Sequence, residues 1–260
     1  MLDTAPIGVF DSGFGGVSVL KDAIKRFPNE NYIYYSDNGN APYGERAESE
    51  IINYSVRCAK YLKSRGVKAI VVACNTATTV CLPILAEASG VPTIGIHPAI
   101  EVASDIPGTG KIAVMATLAT IRSNRYKQLV EESPCASRVI GVPCIGLAGR
   151  IEQGIFGDDD FNDLLDSYYT QYSDVVFDSI VLGCTHYNFI KGAIKKYASA
   201  HLKGECKLIS TNDATLNELN DVLTKKDMHN KSGGGNIQFV TSGCYEKIRP
   251  IFDTLLNTKD

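Results

Sequence analysis

Nothing in this sequence approaches the length of a membrane span; its apolar runs are short and broken by polar residues. The first residues, Met1-Leu2-Asp3-Thr4, have neither the basic start nor the apolar core of a secretory signal, so the cytoplasm is the expected location. Basic residues are not in excess: 26 Lys and Arg stand against 29 Asp and Glu, giving a net charge of -3. Phosphate binding ordinarily leaves a basic footprint, so neither nucleic acid nor a membrane is an expected partner. Eight cysteines are present, but scattered and without Cys-x-x-Cys, which argues against a disulfide framework. The four histidines add no zinc spacing, so no metal is expected. No phosphate-cradling Gly-x4-Gly-Lys-Ser/Thr occurs, and Gly13-Phe14-Gly15-Gly16 falls short of the dinucleotide fingerprint because Ser18 stands where its third glycine belongs. No cofactor is expected.

What remains is an ordinary globular composition, 44% hydrophobic and 21% charged, in a chain long enough for one large or two small domains. Short apolar runs alternate with longer amphipathic stretches. The runs predict strands at Ile7–Phe10, Tyr32–Tyr35, Ala69–Ala73, Thr93–Ile96, Ile112–Met115, Arg138–Val142, Ser179–Leu182, Lys207–Ile209 and Asn236–Val240. Helices are predicted between them, for example at Val17–Arg26, Glu48–Arg65, Leu82–Ala88 and Phe161–Tyr172, with Pro28, Gly66 and Gly90 as stop signals. This rhythm predicts an α/β fold of mostly parallel sheet flanked by helices. Ile7-Gly8-Val9-Phe10-Asp11-Ser12 echoes Ile112-Ala113-Val114-Met115-Ala116-Thr117, which suggests a duplicated unit. The expectation is two pseudosymmetric domains, the first 1–97 plus 207–260 and the second 98–206. The polar, glycine-rich stretch from Lys225 to Gly235 reads as a flexible surface loop.

Two cysteines stand out against that frame. Cys74, in Val72-Ala73-Cys74-Asn75-Thr76, and Cys184, in Leu182-Gly183-Cys184-Thr185-His186, each follow a buried-strand pattern and precede a helical one. A cysteine there meets unpaired N–H groups and the positive end of a helix dipole, which favours the thiolate. A thiolate loses little hydration on burial and suits removal of a proton from carbon beside a carboxylate. Two such sites facing one cleft would supply a base on one side of a substrate and an acid on the other. Asp11 is the assistant available to Cys74 from the first strand, although Asp11-Ser12 also reads as a helix N-cap. His186 is placed to assist Cys184 or to serve as a structural histidine. The loop Asn38-Gly39-Asn40-Ala41-Pro42-Tyr43-Gly44 is rich in turn formers and also offers N–H groups at Tyr43 and Gly44 for a carboxylate.

Taken together, Ile7 to Gly16, Pro42-Tyr43-Gly44, Ala73-Cys74-Asn75-Thr76 and Gly183-Cys184-Thr185-His186 resemble the glutamate racemases, cofactor-independent enzymes that supply D-glutamate for bacterial peptidoglycan. Ala116-Thr117 through Ser123, Ile151 to Gly154 and Phe239-Val240-Thr241 extend the resemblance over nearly the whole chain. It implies a pseudosymmetric cleft between the domains, a small-molecule substrate and a homodimer. It also implies that Cys74 takes the α-proton of D-glutamate while Cys184 donates to the opposite face, with the roles reversed for L-glutamate. Asp11 would assist Cys74 and His186 would assist Cys184, with Asp37 and Glu152 as more distant acids. Asp11, Ser12, Tyr43, Gly44, Asn75, Thr76, Thr117, Thr185 and His186 would hold the substrate.

The sequence departs from that pattern at Asn188, where the family usually has proline, at Asn38, where threonine is more common, and in Gly95-Ile96-His97-Pro98-Ala99-Ile100. None of these removes a named group. The competing readings are a racemase for another small acid such as aspartate, a hydrolase or lyase with one covalent cysteine, and a binding module that retains the pocket.

Overall fold

The computed structural model describes residues 4–97, 99–104, 107–232 and 234–258. Met1–Asp3, Pro98 and Gly233, each part of a segment read above, lie outside the described residues. The first half of the chain runs β1 (Ile7–Asp11), α1 (Val17–Arg26), β2 (Tyr32–Ser36), α2 (Glu48–Ser64), β3 (Ala69–Val72), α3 (Asn75–Ser89), β4 (Thr93–Gly95) and α4 (Ala99–Ser104). Then come β5 (Lys111–Ala116), α5 (Leu118–Arg122), α6 (Asn124–Glu132), β6 (Val139–Pro143), α7 (Leu147–Glu152), α8 (Asn162–Tyr169), β7 (Phe177–Gly183), α9 (Lys191–His201) and β8 (Lys207–Ile209). The chain closes with α10 (Asn212–Lys225), β9 (Ile237–Thr241) and α11 (Tyr245–Asn257). Among the described residues no helix is long and apolar enough to cross a membrane.

The strands form two parallel sheets, ordered β4-β3-β1-β2-β9 and β6-β5-β7-β8. Side chains alternate across each sheet. Ile7, Val9, Tyr32, Tyr34 and Val71 pack with α1, α10 and α11, while Phe10, Ile33, Ile70 and Val72 meet α2 and α3. In the second sheet Ala113, Met115, Ile180 and Leu182 face α7, α8 and α9, whereas Ile112, Val114 and Val181 face α4 and α6. Because both faces are covered, the central strands β1, β3 and β7 are almost continuously apolar, as fully buried parallel strands require. Each fully buried aliphatic side chain contributes about 1.5–3 kcal/mol.

Reading the sheets from one edge, β4-β3-β1-β2 and β8-β7-β5-β6 are the same arrangement, with β9 added to the first. This repeat corrects the domain boundary at 206/207. Lys207–Ile209 does not return to the first sheet; it pairs with β7, Ser179 opposite Lys207, as β4 pairs with β3. A three-residue edge strand carries too little pattern to choose its sheet, and the choice is made by the neighbour it hydrogen-bonds.

The stretch from Lys225 to Gly235 also differs from expectation. Met228 and Asn230 are buried, and the backbone is pinned from beneath. Asn230 N–H donates to Glu30 Oε1 (2.8 Å), Lys68 Nζ donates to the Met228 carbonyl (2.6 Å), and Lys68 pairs with Glu30 at 2.5 Å with both side chains buried. Lys225 to Asp227, Lys231, Ser232, Gly234 and Gly235 are exposed, as a surface loop requires, while the buried residues between them are fixed by an ion pair from elsewhere in the chain that the sequence pattern conceals.

Helix α3 begins earlier than its predicted Leu82–Ala88 segment. Cys74 caps it, its sulfur accepting the Ala77 N–H at 3.4 Å. The helix breaks at Cys81 (φ -146°, ψ 17°), two residues before Pro83, whose ring offers no N–H and crowds the preceding turn. Gly90, at φ 64°, ends it.

Candidate active site

In parallel sheets all strand carboxyl ends lie on one edge, and here the two edges meet. Asp11 ends β1, Cys74 follows β3 by two residues, Thr117 follows β5 and Cys184 follows β7. Among the contacts that join the edges, Thr185 Oγ1 donates to Asp11 Oδ2 at 3.2 Å, Phe14 N–H donates to Glu152 Oε1 at 2.6 Å, and the Thr76 and Thr117 hydroxyls lie 2.9 Å apart. The space enclosed there is lined by Ser12, Tyr43, Gly44, Asn75, Thr76, Thr117, Thr185, His186 and both cysteines, and measures only about 10 Å³. A much larger cavity of about 640 Å³ has Asn75 in its wall, but neither Cys74 nor Cys184 nor Asp11 borders it.

On the first side, the Cys74 S–H donates to Ser12 Oγ at 3.5 Å. The helix terminus does not win here. Burial, reinforced by the nearby Asp11 carboxylate, pushes the Cys74 thiol up to about 12, against the expected thiolate. Asp11 is fully buried and caps no helix; α1 starts six residues later behind Gly16. Its Oδ1 accepts the Gly13 N–H at 2.8 Å. Burial raises the Asp11 carboxyl to about 6, against the opposing pull of His186 and the Gly13 N–H.

On the second side, Cys184 is followed by a 3-10 turn, Thr185–Ile190, before α9 begins. Cys184 Sγ lies 3.5 Å from His186 Nδ1, and His186 Nε2 lies 2.5 Å from Glu152 Oε1. Burial pulls the imidazole toward its neutral form, but hydrogen bonds with Cys184 and Glu152 outweigh it and hold the ring well above the usual histidine range. Both ring nitrogens then carry protons, one aimed at the sulfur and one at the carboxylate.

The glycines of the first loop allow this approach. A Cβ on Gly15 would lie 2.2 Å from Thr185 Oγ1 and 2.7 Å from His186 Nδ1, and one on Gly13 would lie 2.0 Å from Glu152 Oε1. Side chains are absent from those positions because the second sheet's polar groups occupy the space.

Asp37 stands apart from the thiols. Its Oδ2 accepts the Tyr43 hydroxyl at 2.5 Å and both its oxygens accept Asn40 Nδ2, so it fixes the loop that carries Tyr43 and Gly44. Glu152, in contrast, touches His186 directly. Sequence reading missed Thr120, whose hydroxyl lies 3.0 Å from that of Thr117; the Thr-x-x-Thr spacing after β5 was the available signal. It also left Asn38 as a mere departure, although Asn38 Nδ2 donates to Glu152 Oε2 at 2.7 Å.

The Asp/Glu/Hydantoin racemase family model matches residues 12–219. The chain belongs to this family. A glutamate racemase of Clostridium perfringens is 40% identical over 261 residues, covering 99% of this chain and 98% of its own. Glutamate racemase from Francisella tularensis, solved in complex with D-glutamate, superposes with a TM-score of 0.87 at 30% identity over 99% of this chain and 95% of that one. The Escherichia coli enzyme, solved with L-glutamate and the activator UDP-MurNAc-ala, gives 0.81 at 25% identity over 96% and 95%. In this racemase-family chain Asn188 keeps the turn after Cys184 in place, its Nδ2 donating to the Thr185 carbonyl at 3.2 Å.

Proposed function

We propose that the protein interconverts L- and D-glutamate by a two-base reaction, Cys184 and Cys74 exchanging protons with opposite faces of the α-carbon. The observation that carries this reading is that both buried thiols line one small polar pocket, each with its own hydrogen-bonding partners, in a chain similar to glutamate racemases throughout its length. The two relatives solved with D- and L-glutamate support the choice of substrate.

An α-proton beside a carboxylate is weakly acidic, so the site must hold the base close and stabilise the electron pair left behind. With L-glutamate, the Cys184 sulfur takes the α-proton, and the C–H pair remains on carbon, delocalised into the α-carboxylate. Cys74, held as a thiol by burial, gives its S–H proton to the other face and keeps the S–H pair as a thiolate. With D-glutamate the roles reverse. Asp11 and Ser12 serve the Cys74 side and the substrate ammonium, while His186 and Glu152 serve Cys184. The Tyr43 and Gly44 N–H groups, Asn75, and the hydroxyls of Thr76, Thr117 and Thr185 hold the carboxylates, with Asp37 bracing their loop. The same reading assigns the protein to peptidoglycan precursor synthesis in the cytoplasm as a homodimer, a state that light scattering would test.

The functional test is L-glutamate in heavy water without added pyridoxal phosphate, nucleotide or metal. Loss of optical rotation together with deuterium at the α-carbon is expected, and aspartate serves as the comparison. Retention of both rotation and the α-proton with either enantiomer of glutamate would reject the assignment.

A further inference from the structure

Glu152 belongs to the second sheet's α7 but lies among groups from the first sheet. Its Oε1 accepts the Phe14 N–H and faces His186 Nε2, and its Oε2 accepts from Asn38 Nδ2, two residues beyond β2. The orientation of the Asn38 amide follows from chemistry: an ionised carboxylate only accepts, so the NH₂ must face Glu152 and Oδ1 must face the other way. Oδ1 there meets Ser36 Oγ. The Ser36 hydroxyl has two acceptors within reach, Asn38 Oδ1 and the Gly13 carbonyl at 2.8 Å, and the same carbonyl also receives the Tyr34 hydroxyl at 2.8 Å. Asn38 is thus held at one end by its own strand and holds Glu152 at the other.

We propose that Asn38 is a positioning residue that aims His186 at Cys184 by fixing Glu152 across the cleft. The chain of contacts runs Asn38 to Glu152 at 2.7 Å, Glu152 to His186 at 2.5 Å and His186 to Cys184 at 3.5 Å. Its first member comes from one sheet and the other three from the opposite one. The contact exists only with the two edges together, so closure and alignment of the histidine are one event. Among the described residues no hydrogen-bonded chain of this kind reaches Cys74, whose partners Ser12 and Ala77 belong to its own sheet. The effect is therefore one-sided.

The kinetic part of this proposal rests on the two-base reading; the chemical part does not. In the full-length protein, Asn38→Asp keeps the shape and places an acceptor against an acceptor, and Asn38→Leu removes the donor. Iodoacetamide labelling, with peptide mapping by mass spectrometry, gives the reactivity of Cys184 relative to Cys74 in the same molecule, so opening of the cleft cancels. The ratio is expected to fall about tenfold in both variants, the scale on which loss of a supporting hydrogen bond acts. An unchanged ratio in the folded Asn38→Asp protein overturns the proposal whether or not the wild type racemises glutamate. In an active enzyme, the α-deuterium isotope effect should rise for L-glutamate, which yields its proton to Cys184, and fall or stay constant for D-glutamate. A symmetric change would mark Asn38 as merely structural. If the wild type shows no racemisation, the functional assignment fails while the labelling ratio still judges Asn38.

Discussion

Asp11 is the residue whose charge is most at odds with its surroundings. Its carboxyl ionises near 6 in the folded chain against an ordinary value of 3.8. Between those values the folded chain holds one more proton than the unfolded chain, so the stability tied to this group is full below 3.8 and is lost as pH rises through 6. For a fully buried group this is worth about 3 kcal/mol. Asn at position 11 cannot ionise. Denaturant titrations of Asp11→Asn and wild type from pH 4 to 7 should therefore diverge in the variant's favour by about that amount, and a constant difference would contradict the assignment. The two thiols make the complementary prediction for activity. Cys74→Ala and Cys184→Ala should each lower racemisation by about 10² to 10⁴ or more, as loss of one acid–base group does, with circular dichroism unchanged. Full activity in either variant would remove the two-base account.

At the scale of elements, the loop after β1 and the segment after α10 carry opposite lessons. Gly15 faces the second sheet at a distance no side chain fits, so Gly15→Ala should wedge the cleft and lower kcat/KM by about ten- to a hundredfold while the helices and sheets persist. Wild-type kinetics in that variant would show that the edges are not pressed together during turnover. The segment after α10 is governed by the Glu30–Lys68 pair, which lies at the far end of the first sheet from the thiols. Removing one buried partner leaves the other uncompensated, at a cost of about 3–5 kcal/mol. Lys68→Met should lower stability by that much and speed hydrogen exchange at Met228 and Asn230, whereas Lys68→Met with Glu30→Gln, which keeps an acceptor for the Asn230 N–H, should recover most of the loss. Equal stability of the single and double variants would argue against the pair.

For the whole molecule, the decisive quantity is the pocket volume. About 10 Å³ is roughly enough room for one water, so an amino acid enters only after the two sheets part. Closure should then expel solvent and return Glu152, Thr185 and His186 to their contacts with the first loop. The sequence has no tryptophan, so a single introduced one reports this motion without background. Ile145 is half exposed beside Gly146, whose N–H donates to Glu45 Oε1 across the cleft at 3.1 Å. Ile145→Trp should change its emission on mixing with D-glutamate, in a phase that saturates with concentration. A static signal in a variant that turns over normally would show that the cleft does not move at this rim.

The central strands were legible in the sequence because buried parallel strands leave nearly uninterrupted apolar runs, and the cysteines were legible because they stand directly behind two of them. The duplicated arrangement showed in the echo of β1 by β5. What the sequence could not carry is anything decided between elements. It could not assign β8 to its sheet, since three residues carry almost no pattern, nor could it reveal an ion pair between residues 38 positions apart beneath a polar loop. Nor could it decide the protonation of Cys74: a helix terminus and burial act in opposite directions, and only the packed structure shows that burial prevails. The sequence determined which groups stand at the strand ends. Tertiary structure determined which of them meet, because Asn38, Glu152 and the turn carrying Cys184 and His186 are three separate segments that only the closed cleft brings into one line of contacts.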